Sequence, residues 1–235
     1  ASNTVNLTVS PNPTVTASSS PTAICVGATA SLSAIGATSY TWNPGNLTGA
    51  NVSVSPASTT VYTVTGLTGI CSNVNTVTVT VNPLPTLTTT ASPATLCIGN
   101  TATLTASGAA TYSWNPGALS GASATVSPIV NTTYTVTGTS AAGCVNTKTV
   151  SITVSNPTVN AVANPTNICA GNSATLTGSG AATYTWNPGN LTGTSVSVSP
   201  SVTTTYSIVG TTSLGCVASN TVNLTVSPNP TVTAS

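Results

Sequence analysis

The chain repeats itself, and the period limits what it can fold into. Cys25, Cys97 and Cys169 recur at a constant step of 72 in the numbering, as do Trp42, Trp114 and Trp186. Cys71, Cys144 and Cys216 recur at steps of 73 and 72. Self-similarity at a fixed period is the signature of a tandem array in which one small unit recurs. A longer period lies above it, because residues 218–235 repeat residues 1–18 letter for letter after a shift of 217. The chain therefore reads as a stretch of a longer array. Residues 1–12 are expected to be the last strand of a preceding repeat, 13–84, 85–156 and 157–229 three repeats, and 230–235 the start of the next. Arrays of this kind span distance or present many copies of one surface.

Within each repeat the apolar pattern alternates with period two, the signal of a strand half buried against a core. Over Asn75–Val81, Val77, Val79 and Val81 point one way and Thr76, Thr78 and Thr80 the other. The same strand recurs at Val150, Ile152, Val154 and at Val222, Leu224, Val226. Tyr62 and Val64 share a face, Leu32 sits between Ala30 and Ala34, and Val52 pairs with Val54. No segment has helical period. Asn43-Pro44-Gly45 and its copies at 115–117 and 187–189 suit a turn with proline at one corner and glycine in the left-handed position. Six strands per repeat, plus a short seventh near Leu47, predict an all-β chain of small antiparallel sandwiches. The junctions Asn82-Pro83-Leu84-Pro85, Ser155-Asn156-Pro157 and Ser227-Pro228-Asn229-Pro230 read as short, semi-rigid connectors.

Composition then removes most chemistry. Lys148 is the one charged side chain; there is no Arg, Asp, Glu or His. General acid–base catalysis needs a group that titrates near the working pH, and a hydroxyl nucleophile needs an adjacent base. Neither is encoded, so no enzyme activity and no cofactor are expected. Calcium sites need carboxylates, and nucleic acid needs a basic patch that a single lysine does not make. There is no apolar run of membrane-spanning length. Solubility rests on Thr, Ser and Asn, and a surface without self-repulsion leaves lateral association between copies open.

A sandwich this short has a small core, and its cysteines answer that need. Each repeat holds two. Pairing within the repeat, Cys25 with Cys71, Cys97 with Cys144 and Cys169 with Cys216, is the economical arrangement, stabilising by about 4 kcal/mol in the chain-entropy model. Thiols that react or hold metal, and pairing between chains, are the alternatives. Disulfides imply an oxidising, extracellular setting. The aromatics are few and ordered: Tyr40, Trp42 and Tyr62, then Tyr112, Trp114 and Tyr134, then Tyr184, Trp186 and Tyr206. They are expected to form the core; the alternative makes them a stacking platform for glycan.

Cysteine, then tryptophan on the third strand, then tyrosine on a late strand resembles the immunoglobulin-like sandwich. The departure is the residue two after Tyr62, which is Val64 rather than cysteine; Cys71 lies in the following hairpin. The string Tyr-Thr-Trp-Asn-Pro-Gly, Val-Ser-Pro, Thr-Tyr-Thr-Val-Thr-Gly, Gly-Cys and Thr-Val-Thr-Val-x-Pro is similar to the PKD-like and immunoglobulin-like repeats of giant Bacteroidota surface adhesins. That resemblance implies type IX export, a cell-surface position and a role in adhesion or gliding. The expected function is a structural stalk or surface filament whose partner is itself, with a glycan or surface ligand at a separate tip. The alternatives are a glycan-binding module and, from the Thr-x-Thr rows, an ice-binding face. The orphan strand at residues 1–12 is completed either by a neighbouring copy in the same polypeptide or by strand exchange between subunits.

Overall fold

The computed structural model describes residues 3–231, and every regular element among them is a β-strand. The first repeat holds β1 (Thr16–Ser20), β2 (Ala23–Cys25), β3 (Ala30–Ile35), β4 (Ser39–Asn43), β5 (Leu47–Thr48), β6 (Asn51–Val54), β7 (Thr60–Thr68) and β8 (Cys71–Asn82). The second holds β9 (Thr88–Ser92), β10 (Thr95–Cys97), β11 (Ala102–Ser107), β12 (Thr111–Asn115), β13 (Leu119–Ser120), β14 (Ser123–Val126), β15 (Thr132–Thr139) and β16 (Val145–Ser155). The third holds β17 (Asn160–Asn164), β18 (Asn167–Cys169), β19 (Ala174–Ser179), β20 (Thr183–Asn187), β21 (Leu191–Thr192), β22 (Ser195–Val198), β23 (Thr204–Thr211) and β24 (Val217–Ser227).

Each set of eight forms two sheets. In the first, β1-β3-β6 make a three-stranded sheet and β2-β8-β7-β4-β5 a five-stranded one, and the same order recurs twice more. The result is a tandem array of immunoglobulin-like sandwiches. The short strand expected near Leu47 is β5. The count is eight rather than seven because the opening strand is divided between the sheets. Thr16–Ser20 pairs antiparallel with β3; a short step later Ala23–Cys25 runs parallel to β8, with Cys25 opposite Asn82. Pro21 sits at the break, where a residue without an N–H cannot continue the ladder.

Alternation along each strand fills the core. Ala30, Leu32 and Ala34 of β3, Tyr40 and Trp42 of β4, Tyr62 and Val64 of β7 and Val79 of β8 form one buried cluster, while Thr76, Thr78 and Thr80 face out. Each Val or Leu buried this way contributes roughly 1.5–3 kcal/mol. The Asn-Pro-Gly corners turn as expected, with Gly45, Gly117 and Gly189 at φ near 107 and the following Asn46, Ala118 and Asn190 near 49. At the β3–β4 corner, Gly36 has φ +97, and a Cβ there would overlap the Thr14 carbonyl oxygen. Glycine is the residue that allows this approach.

Packing divides the chain into two compact units. One runs through Thr88 and takes in Ser107–Ser113 and Val136–Lys148; the other is Thr89–Ala106, Trp114–Thr135 and the chain from Thr149 on. Each contains one disulfide. Residues 3–10 belong to no strand, and Val5, Leu7 and Val9 stand 91%, 88% and 81% exposed. Their sequence twins in β24 are packed, with Leu224 fully buried. A strand needs a neighbouring strand for its backbone groups, and residues 3–10 pair with none among the described residues. Of the segment 230–235, residues 232–235 lie outside the described residues.

Candidate functional site

The chemistry this chain can offer is sulfur chemistry, and the fold distributes it in a way the spacing did not suggest. The disulfides are Cys25–Cys144 and Cys97–Cys216, each joining residues 119 apart. Cys71 and Cys169 are free thiols. Pairing within a repeat is therefore corrected: Cys25 does not meet Cys71, Cys97 does not meet Cys144, and Cys169 does not meet Cys216. The first cysteine of one repeat bonds to the second cysteine of the next.

The parallel β2–β8 pairing supplies the reason. Cys25 ends β2 and lies opposite Asn82, the last residue of β8, whereas Cys71 is the first residue of β8. The length of that extended strand separates the two positions, on the order of 36 Å at about 3.3 Å per residue. A disulfide needs Cα atoms about 4.4–6.8 Å apart. At the far end of β8 the needed partner comes from the β15–β16 hairpin: Cys144 Sγ lies 3.8 Å from the Asn82 carbonyl oxygen, and the Cα atoms of Cys25 and Cys144 are 5.6 Å apart. Cys97, opposite Ser155 in the β10–β16 ladder, meets Cys216 in the same way, at 5.3 Å. Cys144 and Cys216 are buried. Short turns shape the hairpins that carry them: Ser140 N–H donates to the Cys144 carbonyl and Ser140 Oγ accepts from Cys144 N–H. Thr212 does the same for Cys216.

A second set of contacts ties each last strand to the segment that enters its own repeat. Asn73 and Asn75 side-chain amides donate to the Pro13 and Val15 carbonyls. Asn146 donates to Pro85 and Asn220 to Val159. Lys148 occupies the position of Asn75 and Asn220, and its Nζ donates to the Leu87 carbonyl at 3.1 Å. The lysine is exposed, as a solvated strand position would be, but its head group holds the same backbone oxygen that the amides hold in the other repeats.

The aromatics are spent on the cores. Trp42, Trp114 and Trp186 are at most 1% exposed, and each indole N–H donates to a carbonyl further along the chain, Gly49, Gly121 or Gly193, at 3.0–3.1 Å. Tyr40 closes a small ring: its hydroxyl accepts from Ala37 N–H and donates to the Ala37 carbonyl. Tyr112 and Tyr184 repeat it on Ala109 and Ala181. Tyr62, Tyr134 and Tyr206 are buried, and burial pushes their phenols above the ordinary value. A sugar platform needs open ring faces, and only Tyr112 is even partly exposed. No three His, Cys, Asp or Glu residues cluster among the described residues, and no described helix is long and apolar enough to cross a membrane. One surface depression of about 320 Å³ opens beside the free Cys169, lined by Pro165, Asn167, Ile168, Asn172, Ser173 and Ser227.

No family model and no curated protein matches the chain. Among solved structures, a part of a 1.5-MDa bacterial ice-binding adhesin, described for host cell surface retention, is 16% identical with a TM-score of 0.34, covering 93% of this chain and 99% of that one. A Ca2+-stabilised adhesin with which an Antarctic bacterium reaches out and binds ice is also 16% identical with a TM-score of 0.34, covering 95% and 75%. Three consecutive immunoglobulin domains of titin are 12% identical with a TM-score of 0.35, covering 88% and 95%. What those proteins bind says nothing about this chain.

Proposed function

We propose that the chain is part of a structural stalk or extracellular surface filament, built from tandem immunoglobulin-like sandwiches and supporting adhesion or surface motility. The observation that carries this reading is the pairing of cysteines 119 residues apart, which fastens the first repeat to the second and the second to the third instead of closing each on itself. A binding module gains nothing from such fastening, whereas an extended array under tension does. The repeats are residues 13–84, 85–156 and 157–229, and further copies of them are the partner. Disulfides favour an oxidising setting outside the cell, consistent with the resemblance to Bacteroidota surface adhesins. Ligand recognition falls to a separate tip, because every repeat aromatic but the half-buried Tyr112 is buried.

Electron microscopy of the native material tests this. Threads one sandwich wide, beaded at the repeat spacing, are the expected result for a solitary stalk. Thicker ordered fibres would bring the uncharged faces into lateral contact and keep the filament reading. Short single particles would overturn it.

A further inference from the structure

We infer that Cys169 and Cys71 are the two halves of a third disulfide of the same kind, formed between one unit, residues 1–217, and a second copy of it. The covalent stitch then runs on without interruption. The inference rests on the array reading in taking a second copy as the neighbour.

Three observations converge on it. Cys169 ends β18 opposite Ser227 in the parallel β18–β24 ladder, as Cys25 stands opposite Asn82 and Cys97 opposite Ser155. The amide after each donates to that same carbonyl: Val26 to Asn82, Ile98 to Ser155 and Ala170 to Ser227, all at 3.0 Å. Cys169 is therefore set as the first half of the stitch, and the depression beside it lies where the other two first cysteines receive a hairpin.

Cys71 is set as the second half. Its Sγ lies 3.5 Å from the Ser10 carbonyl oxygen, matching Cys144 Sγ beside the Asn82 carbonyl. Ser10 and Asn82 are one repeat apart and occupy the same place in successive repeats.

The identity of residues 1–18 and 218–235 joins the halves. Ser227 is the counterpart of Ser10 in that identity, so residues 1–10 of the second copy stand where β24 stands here, as the last strand of the first copy's third repeat. In that register Cys169 and the Cys71 of the second copy flank one serine. They are also 119 residues apart along the joined chain, the separation of both observed disulfides. Val5, Leu7 and Val9, bare here, then take the positions of Val222, Leu224 and Val226.

The bond forms by exchange with a small-molecule disulfide as oxidant. The Cys169 thiolate attacks one oxidant sulfur and expels a thiolate; the second copy's Cys71 thiolate attacks Cys169 Sγ and expels the other. The two protons of the cysteine thiols end on the departing thiolates. Two cysteine thiols are oxidised and one disulfide is reduced to two thiols.

The test is a chain of residues 1–217 followed by residues 1–235, carrying Cys71→Ser in the first copy and Cys169→Ser in the second so that one Cys169 and one Cys71 remain, oxidised with glutathione disulfide, blocked with N-ethylmaleimide and digested with pepsin in acid without reduction. One cross-linked peptide carrying the first unit's Cys169 and the second unit's Cys71 is expected, with maleimide on neither. Cys71→Ser in the second unit should then label the first unit's Cys169 and leave the Cys25–Cys144 and Cys97–Cys216 peptides linked. Maleimide on both residues, or either bonded elsewhere, would overturn the inference. Native threads whose Cys71 and Cys169 are both free would sink this link while leaving the stalk; the cross-linked peptide from material that forms no threads would do the reverse.

Discussion

Gly27 and Gly36 offer a test of how tightly the entering chain packs on its own repeat. The two have nearly the same left-handed backbone, φ +88 and +97. Replacing either by alanine therefore carries a similar conformational cost of about 1 kcal/mol. They differ in what the new methyl meets. At Gly27 it meets nothing within 4 Å; at Gly36 it overlaps the carbonyl oxygen and carbon of Thr14. That oxygen is backbone and cannot swing aside, so accommodation displaces the segment leading into β1, an overpacking cost of about 2 kcal/mol. Amide hydrogen exchange read by mass spectrometry over 30–43, strands that lie between and beyond the two glycines, reports the local opening free energy. Gly27→Ala should lower protection about 5-fold. Gly36→Ala should lower it about 150-fold, so the two differ about 30-fold at about 1.36 kcal/mol per decade. Peptides from the third repeat serve as the unperturbed control. Equal losses in the two variants would mean that Thr14 does not close on Gly36, and the account of this corner would be wrong.

Cys144→Ser should expose Cys25 to alkylation and leave Cys97 bonded, as peptide mapping reads directly; labelling of Cys97 instead would restore pairing within the repeat. The unfolding midpoint should stay flat from about pH 4 to 7, since no Asp, Glu or His is present and no side chain titrates there. It should then fall above about pH 10, because burial holds the folded phenols of Tyr62, Tyr134 and Tyr206 above the unfolded value of 10.0. Their neutral state is fully favourable below that pH and is lost as pH climbs through the folded values; a midpoint that drops already in the acidic range contradicts this. Lys148→Asn should preserve the bond to Leu87 that Asn75 and Asn220 make to Val15 and Val159, changing local protection less than about 3-fold. Lys148→Ala should cost about 1 kcal/mol in the same measurement.

The alternation of Val77, Val79 and Val81 with threonine, and the pairing of Tyr40 with Trp42, were readable from the sequence because burial on one face writes itself as period two. Trp42 as core followed from the shortage of any other large residue. The division of the first strand at Pro21 was harder to read: β1 and β2 are short, and nothing in a segment such as Ala23–Cys25 tells which sheet it joins. The disulfide partners were misread for the same reason. Once β2 is known to run parallel to β8, Cys25 and Cys71 fall at opposite ends of one strand. Their spacing in sequence carries no trace of that direction. The placement of Cys71 in a hairpin, beyond the position where an immunoglobulin domain has its second cysteine, was the signal that the bridge differs.

The two disulfides also overlap, and this changes how the chain would answer a mechanical pull. Cys97 lies inside the first closed loop and Cys144 inside the second. Cys25 and Cys216 lie near opposite ends of the three repeats, yet the shortest covalent route between them is brief. It crosses one sulfur bridge, runs backwards from Cys144 to Cys97 and crosses the other. Even with every sandwich torn open, this stretch could lengthen to only about 170 Å with both bridges included, against about 650 Å without the bridges, at roughly 3.4 Å per residue. The strands around Trp114 would then carry the tension in reverse, from their C-terminal end to their N-terminal end. A protease cut between Cys97 and Cys144 would leave the halves joined twice over.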